Sequence, residues 1–156
     1  MTTVLEKSRS SRKDRKGMPP PPQSITIDVD VTPVDQCAQM VVCDLDATPG
    51  GRGGSYVIDG VIFLANGSQY VLNFHLKNGP LGQFSWDTDP FWARKSKCPT
   101  QKGMPNGQFP SAPTTSGSTL TVGAGGVPGK SAIHYRLNML DAGGNPAFCD
   151  PIVINN

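Results

Sequence analysis

The sequence predicts an all-β fold: an antiparallel two-sheet sandwich preceded by a basic, proline-rich N-terminal arm. Three observations carry that prediction. First, 18 Gly and 15 Pro in 156 residues put the turn-formers at about a fifth of the chain, against roughly 12% in average usage. Second, Glu6 is the only glutamate among 12 acidic residues, whereas Glu suits helix surfaces and Asp suits turns and strand ends. Third, apolar residues recur at every second position in several stretches, which is the period of a half-buried strand. A helical bundle is excluded. The hydrophobic fraction of 37% supports one core, so the expected organisation is a flexible arm over residues 1–24 and one domain over residues 25–156.

In chain order, residues 1–24 lack apolar periodicity, and Pro19 to Pro22 favour an extended polyproline conformation. Ile25, Ile27, Val29 and Val31 then alternate with Thr26, Asp28 and Asp30, the pattern of a strand with one face on a core. A second run spans Gln39 to Leu45, and Thr48 to Gly54 forms a glycine-rich loop. Gly60 to Ala65, Asn66-Gly67 and Ser68 to Leu76 read as a β-hairpin, because both central residues tolerate positive φ. Its return strand sets Tyr70, Leu72, Phe74 and Leu76 on one face and Val71, Asn73 and His75 on the other.

Residues 87–117 hold many prolines and few strand signals and read as a long excursion over the sandwich. Strand character returns at Ser118 to Val122, and again where Ile133, Tyr135, Leu137 and Met139 alternate with His134, Arg136 and Asn138. Asp141 to Pro146 turns into a last strand over Ala147 to Ile154. About seven strands joined by turns fit an immunoglobulin-like or a jelly-roll sandwich equally well.

Charge is unevenly placed. Lys7, Arg9, Arg12, Lys13, Arg15 and Lys16 stand against only Glu6 and Asp14 in the arm, an excess larger than the chain's formal net charge of +2. Such an arm either contacts phosphates or keeps the chain solvated. No apolar run follows the basic start, so a secretory leader is not expected, and Val61 to Ala65 is far shorter than the ~20 residues that span a bilayer. A cytoplasmic protein without membrane association is therefore expected. There, Cys37, Cys43, Cys98 and Cys149 should be free thiols behaving as small hydrophobes, since their number and spacing match neither a disulfide framework nor a zinc site.

Several motifs spell chemistry without supplying its context. Ala124 to Ser131 fits a relaxed phosphate-loop pattern, but such a loop must open a helix, and the residues after Lys130 alternate with strand period. A hairpin turn is expected there instead. His75 and His134, the only histidines, fall on the polar faces of their strands and could hold a metal with Asp help if those strands were neighbours. Asp87-Thr88-Asp89 brings two carboxylates together beside Pro90, which is turn chemistry more than a calcium or acid–base site. No nucleophile motif is present, and neither cofactor nor metal is expected.

The stretch Phe84 to Lys97 is different, because it gathers both tryptophans, two phenylalanines and three cations. Aromatic rings beside Arg and Lys suit protein interfaces, and they also suit closing one end of a core. Phe84, Trp86, Phe91, Trp92, Arg94 and Lys95 are accordingly the expected partner-binding residues.

At the C-terminus, Phe148-Cys149-Asp150-Pro151 followed by Ile152-Val153-Ile154 resembles the Asp-Pro-aliphatic closing strand of small, uncharacterised bacterial β-sandwich proteins, with Phe91-Trp92 and Cys98-Pro99 adding to the likeness. That resemblance implies a fold and no activity. The function expected from the sequence is a non-catalytic binding or self-assembly module that forms homo-oligomers or meets a protein partner. The alternatives are a nucleic-acid-associated or coat-like protein using the basic arm, and a metal-dependent enzyme using His75 and His134.

Overall fold

A computed structural model describes residues 22–33, 41–47, 56–58, 61–64, 69–77, 83–95, 99–105, 107–125, 131–149 and 152–155. Eleven strands account for the regular structure: β1 (Gln23–Pro33), β2 (Val41–Ala47), β3 (Tyr56–Ile58), β4 (Val61–Leu64), β5 (Gln69–Lys77), β6 (Ser85–Arg94), β7 (Thr114–Ser116), β8 (Thr119–Gly125), β9 (Ser131–Leu140), β10 (Pro146–Cys149) and β11 (Ile152–Asn155). No helix occurs among the described residues. The basic arm and its six cations lie outside them.

Two sheets form. The first runs β2-β1-β5-β8-β7, and the second runs β10-β9-β11-β4-β3 with β6 also on β9. Strand β9 is long enough to take β10 at residues 137–140 and β11 at residues 131–134 along one side. Strand β6 pairs with residues 134–140 and so occupies the other side.

Alternation decides which faces meet. Ile25, Ile27 and Val29 of β1, Tyr70, Leu72, Phe74 and Leu76 of β5, and Leu120, Val122 and Ala124 of β8 are buried, as are Ile133, Tyr135, Leu137 and Met139 of β9. Rings bridge the two layers: the Phe74 centroid lies 5.8 Å from Tyr135 and 6.3 Å from Phe91. One hydrophobic core therefore sits between the sheets. Tyr135 is fully buried there and its hydroxyl has no hydrogen-bond partner, so burial raises its pKa well above the ordinary value.

Four expectations change. The pairing is mixed, because β1 runs parallel to β5 and β4 runs parallel to β11, while the other pairs are antiparallel. The hairpin at Asn66-Gly67 does not form, since β4 belongs to the second sheet and β5 to the first. Strand β5 pairs instead with β1 and β8 within the first sheet. For the same reason β8 and β9 are not hairpin partners across residues 126–130, which lie outside the described residues along with Asn66 and Gly67. Finally, the last strand is two strands, β10 and β11, with residues 150 and 151 between them outside the described residues.

The expected excursion also begins later than its composition implies. Residues 85–94 form β6 despite Pro90, with a register break between Trp86 and Phe91. Trp86 stands opposite Met139 and Phe91 opposite Leu137, so residues 87–90 form a bulge across from Asn138 alone. The bulge is filled: Asn138 is 5% exposed, and its Nδ2 donates to the Asp89 carbonyl at 2.9 Å.

Two turns are closed by local chemistry. Gly117 at φ 56° opens the two-residue link from β7 to β8, a conformation that favours glycine. Between β9 and β10, Asp141 Oδ1 accepts from the amides of Gly143 at 2.9 Å and Asn145 at 2.8 Å, and Gly144 takes φ 79°. The Asn145 side-chain amide, which donates to both carboxylate oxygens, contributes most to holding the Asp141 carboxyl below its usual pKa of 3.8. A lowered folded-state pKa means that this stabilisation is complete above the ordinary carboxylate range and is lost as pH falls through the folded value. Thermal midpoints measured from about pH 5 to about pH 2.5 are expected to fall less steeply in Asp141→Asn than in the wild type.

Candidate functional site

The strand register builds one cluster on the outer face of the second sheet. Phe91 and Ala93 of β6 point into the core, which turns Trp92 and Arg94 outward. On β9, Tyr135 and Leu137 face inward and His134, Arg136 and Asn138 face the other way. On β10, Ala147 and Cys149 are buried and Phe148 lies opposite. Because Trp92 pairs with Arg136 and Phe148 pairs with Asn138, the guanidinium of Arg136 is caught between two rings. Its Cζ lies 3.4 Å from the Phe148 centroid and 4.8 Å from that of Trp92. Arg136 Nε also donates to Asn138 Oδ1 at 2.7 Å, so the same Asn fixes both the arginine and the β6 bulge. Trp92, Arg136 and Phe148 all remain half-buried.

The six residues expected at a partner surface divide. Trp86 is 8% exposed, and its Nε1 donates to the Ser118 carbonyl at 2.9 Å. Phe91 is 4% exposed, stacked on Tyr135 at 5.5 Å and edge-on to Phe109 at 5.1 Å. These two rings belong to the core, which corrects their assignment to a partner surface: the bulge lets both point inward although they are an odd number of residues apart. Phe84 packs half-buried against the core edge. Trp92 and Arg94 face outward, and Lys95 is exposed just beyond β6. Arg136 and Phe148 are the members that sequence reasoning missed. The outward phase of β9 was visible in the alternation, but its proximity to Trp92 depends on strand order.

Beside this face, residues 99–113 run past β6, tied to it by the Ala93 amide donating to the Gly103 carbonyl at 2.8 Å. A cavity of about 240 Å³ opens there, with Phe91, Met104 and Pro113 as apolar lining and Asp89 and Lys102 as its charged groups. Those two form an ion pair. The Asp87-Thr88-Asp89 carboxylates are thus used locally: Thr88 Oγ1 donates to Asp87 Oδ1 at 2.9 Å, and Asp89 takes Lys102.

The outer face of the first sheet is chemically different. Asn73 Nδ2 donates to Ser24 Oγ and Thr121 Oγ1 donates to Asn73 Oδ1, both at 2.9 Å, linking β1, β5 and β8 through polar side chains. Further along β1, Asp28 accepts from Lys77 at 2.8 Å and lies 3.6 Å from His75 Nδ1. The Lys77 hydrogen bond is the main reason that the Asp28 carboxyl titrates below its usual range.

His75 and His134 therefore stand on the outer faces of different sheets, with the core between them. That separation overturns a shared metal site on the two histidines. Among the described residues no group of three or more His, Cys, Asp or Glu could hold a metal ion. The phosphate-loop spelling leads into β9 at Ser131 and not into a helix; residues 126–130 themselves lie outside the described residues. Lys7, Arg9, Arg12, Lys13, Arg15 and Lys16 lie outside the described residues.

One cysteine departs from expectation. Cys149 is buried and disulfide-bonded, not a free thiol. The side chains of Cys37, Cys43 and Cys98 lie outside the described residues. A disulfide is the form expected in an oxidising compartment, whereas the sequence pointed to a reducing one, so the redox state of Cys149 bears directly on location. No helix among the described residues is long and apolar enough to cross a membrane.

No protein-family model matches the sequence, and no curated protein matches it. Among solved structures, a crystal structure of the inclusion body protein PixA from Burkholderia cenocepacia is similar at a TM-score of 0.43 and 10% identity, covering 90% of this chain and 99% of that chain.

Proposed function

We propose that this chain is a non-catalytic binding or self-assembly module built on a β-sandwich, and that it meets further copies of itself or a protein partner through the outer face of its second sheet. The observation that carries this reading is the Trp92–Arg136–Phe148 stack. Core packing does not need these side chains, since the inward face of the same strands already supplies Phe91, Tyr135, Leu137 and Ala147. A guanidinium held between two half-buried rings combines the residue types that dominate interface energetics, with its rotamer already fixed before a partner arrives.

Sheet edges add a second route. Strand β7 ends the first sheet with all three residues exposed, a short edge of the kind that pairs with other chains or is kept brief to avoid it. The nucleic-acid reading rests on the cations of the arm, which lie outside the described residues.

Trp92→Ala and Arg94→Ala are expected to weaken association at least about tenfold, the effect of losing one interface anchor. Sedimentation equilibrium on each variant beside the wild type measures it. Unchanged association in both would leave the second sheet's outer face without a role in binding.

A further inference from the structure

We propose that two adjoining cavities beside β6 form one site for a small amphipathic anion, a single acidic head carried on an apolar chain or ring. The inference goes beyond the assembly reading and does not depend on it. The first cavity is the one of about 240 Å³ at the bulge. Its floor is the core itself, since Phe91 is 4% exposed and Met104 packs half-buried against the core cluster. The second, of about 410 Å³, is more open and is lined by Arg94, Lys95 and Lys102. Lys102, Gly103 and Met104 line both cavities. Gly103 puts no side chain between them, and a Cβ placed there would meet nothing within 4 Å.

The chemistry of the walls assigns each half of the ligand. Pro90, Phe91, Met104 and Pro113 make the bulge cavity apolar, and its carboxylate, Asp89, is paired with Lys102. An anionic head placed there would lie against Asp89, and like charges repel more strongly in a partly enclosed site than in bulk water. The second cavity has three cations and no Asp or Glu in its lining. Arg94 makes a weak neutral contact, its Nη2 donating to Gln101 Oε1 at 3.4 Å. No ion pair joins Arg94 or Lys95 to a carboxylate among the described residues.

The acidic head is therefore favoured at Arg94 and Lys95 and the apolar body against Phe91 and Met104, with Lys102 at the junction. Small-molecule pockets combine mostly apolar walls with a few charged groups that fix orientation, and the two volumes together reach the size such pockets have. Selectivity follows from the same division. A cationic amphiphile meets like charge at Arg94 and Lys95, a neutral alcohol gains only the apolar half, and a short anion gains only the charged half.

Isothermal titration calorimetry of the full chain with octanoate tests this, beside acetate, octanol and octyltrimethylammonium. Octanoate is expected to bind at a ratio of about one per chain with a Kd below about 1 mM. Acetate, which lacks the body, and octanol, which lacks the charge, are expected to bind at least about tenfold more weakly, and octyltrimethylammonium is expected not to bind. Arg94→Gln with Lys95→Gln, its fold checked by thermal unfolding, should weaken octanoate at least about tenfold and leave octanol unchanged. Lys102→Met, which leaves Asp89 unpaired beside the ligand, should weaken octanoate as well. Octanoate heat that never saturates, octyltrimethylammonium binding as tight as that of octanoate, or unchanged octanoate affinity in both variants contradicts the site. Because binding is read per chain, the outcome stands whether the protein is monomeric or assembled, and failure here leaves the assembly reading untouched.

Discussion

Phe74→Ala is expected to cost about 3–5 kcal/mol of folding stability, the range for removing a large buried ring from a packed core. Phe74 has no exposed surface and sits where the layers join, 5.8 Å from Tyr135 and 6.3 Å from Phe91. Phe74 itself pairs with Ile27 of β1 on one side and Leu120 of β8 on the other, so the cavity cannot collapse by moving the strand. Equilibrium denaturation reads the loss as a lower midpoint at unchanged slope. A loss below about 1 kcal/mol would mean that the sheets do not share this core.

Asn138→Ala is expected to cost about 2–3 kcal/mol, although the residue is polar and lies on the outer face. Its side chain donates to the Asp89 carbonyl and accepts from Arg136 Nε, so truncation removes both part-buried hydrogen bonds at once. The effect should reach beyond stability. Once Asn138 is gone, Arg136 keeps its two rings but loses its Nε bond to Asn138 Oδ1, so association should weaken as well. Comparing the denaturation midpoint and the association constant of Asn138→Ala with those of Trp92→Ala separates these effects, since Trp92 makes no hydrogen bond through Nε1 to lose.

The parts of the fold that were legible in the sequence are those where alternation runs unbroken. Strands β1, β5, β8 and β9 each carry several inward apolar residues at strict period two, and each forms at or within a few residues of its expected position. Strand β6 was not legible because its phase changes midway: Trp86 and Phe91 both face inward, and Pro90 between them is itself buried. Period-two counting cannot cross a bulge. Parallel pairing was equally hidden, since β1 and β5 alternate in the same manner whichever way they run. The Asn66-Gly67 signal describes a local turn preference, while the sheet each flanking strand joins is set by neighbours distant in sequence.

The candidate site divides along the same line. Trp92, Arg94 and Lys95 could be chosen from composition because aromatic and cationic residues crowd one stretch. Arg136 and Phe148 could not, because only the β6–β9–β10 order brings them to Trp92. Conversely, Trp86 and Phe91 have interface composition but core positions, and burial alone distinguishes the two. The pairing of His75 with His134 failed for the complementary reason: both are outward on their strands, but the strands belong to different layers.

The most direct test of the central claim is light scattering across the size-exclusion peak of the untagged protein, with the 260/280 nm absorbance ratio recorded at the same time. Self-assembly through the outer face of the second sheet predicts a mass that is a multiple of 16.6 kDa, rises with concentration and carries a protein-like ratio. A species of 16.6 kDa at every concentration, or a large one whose absorbance ratio shows bound nucleic acid, would contradict it.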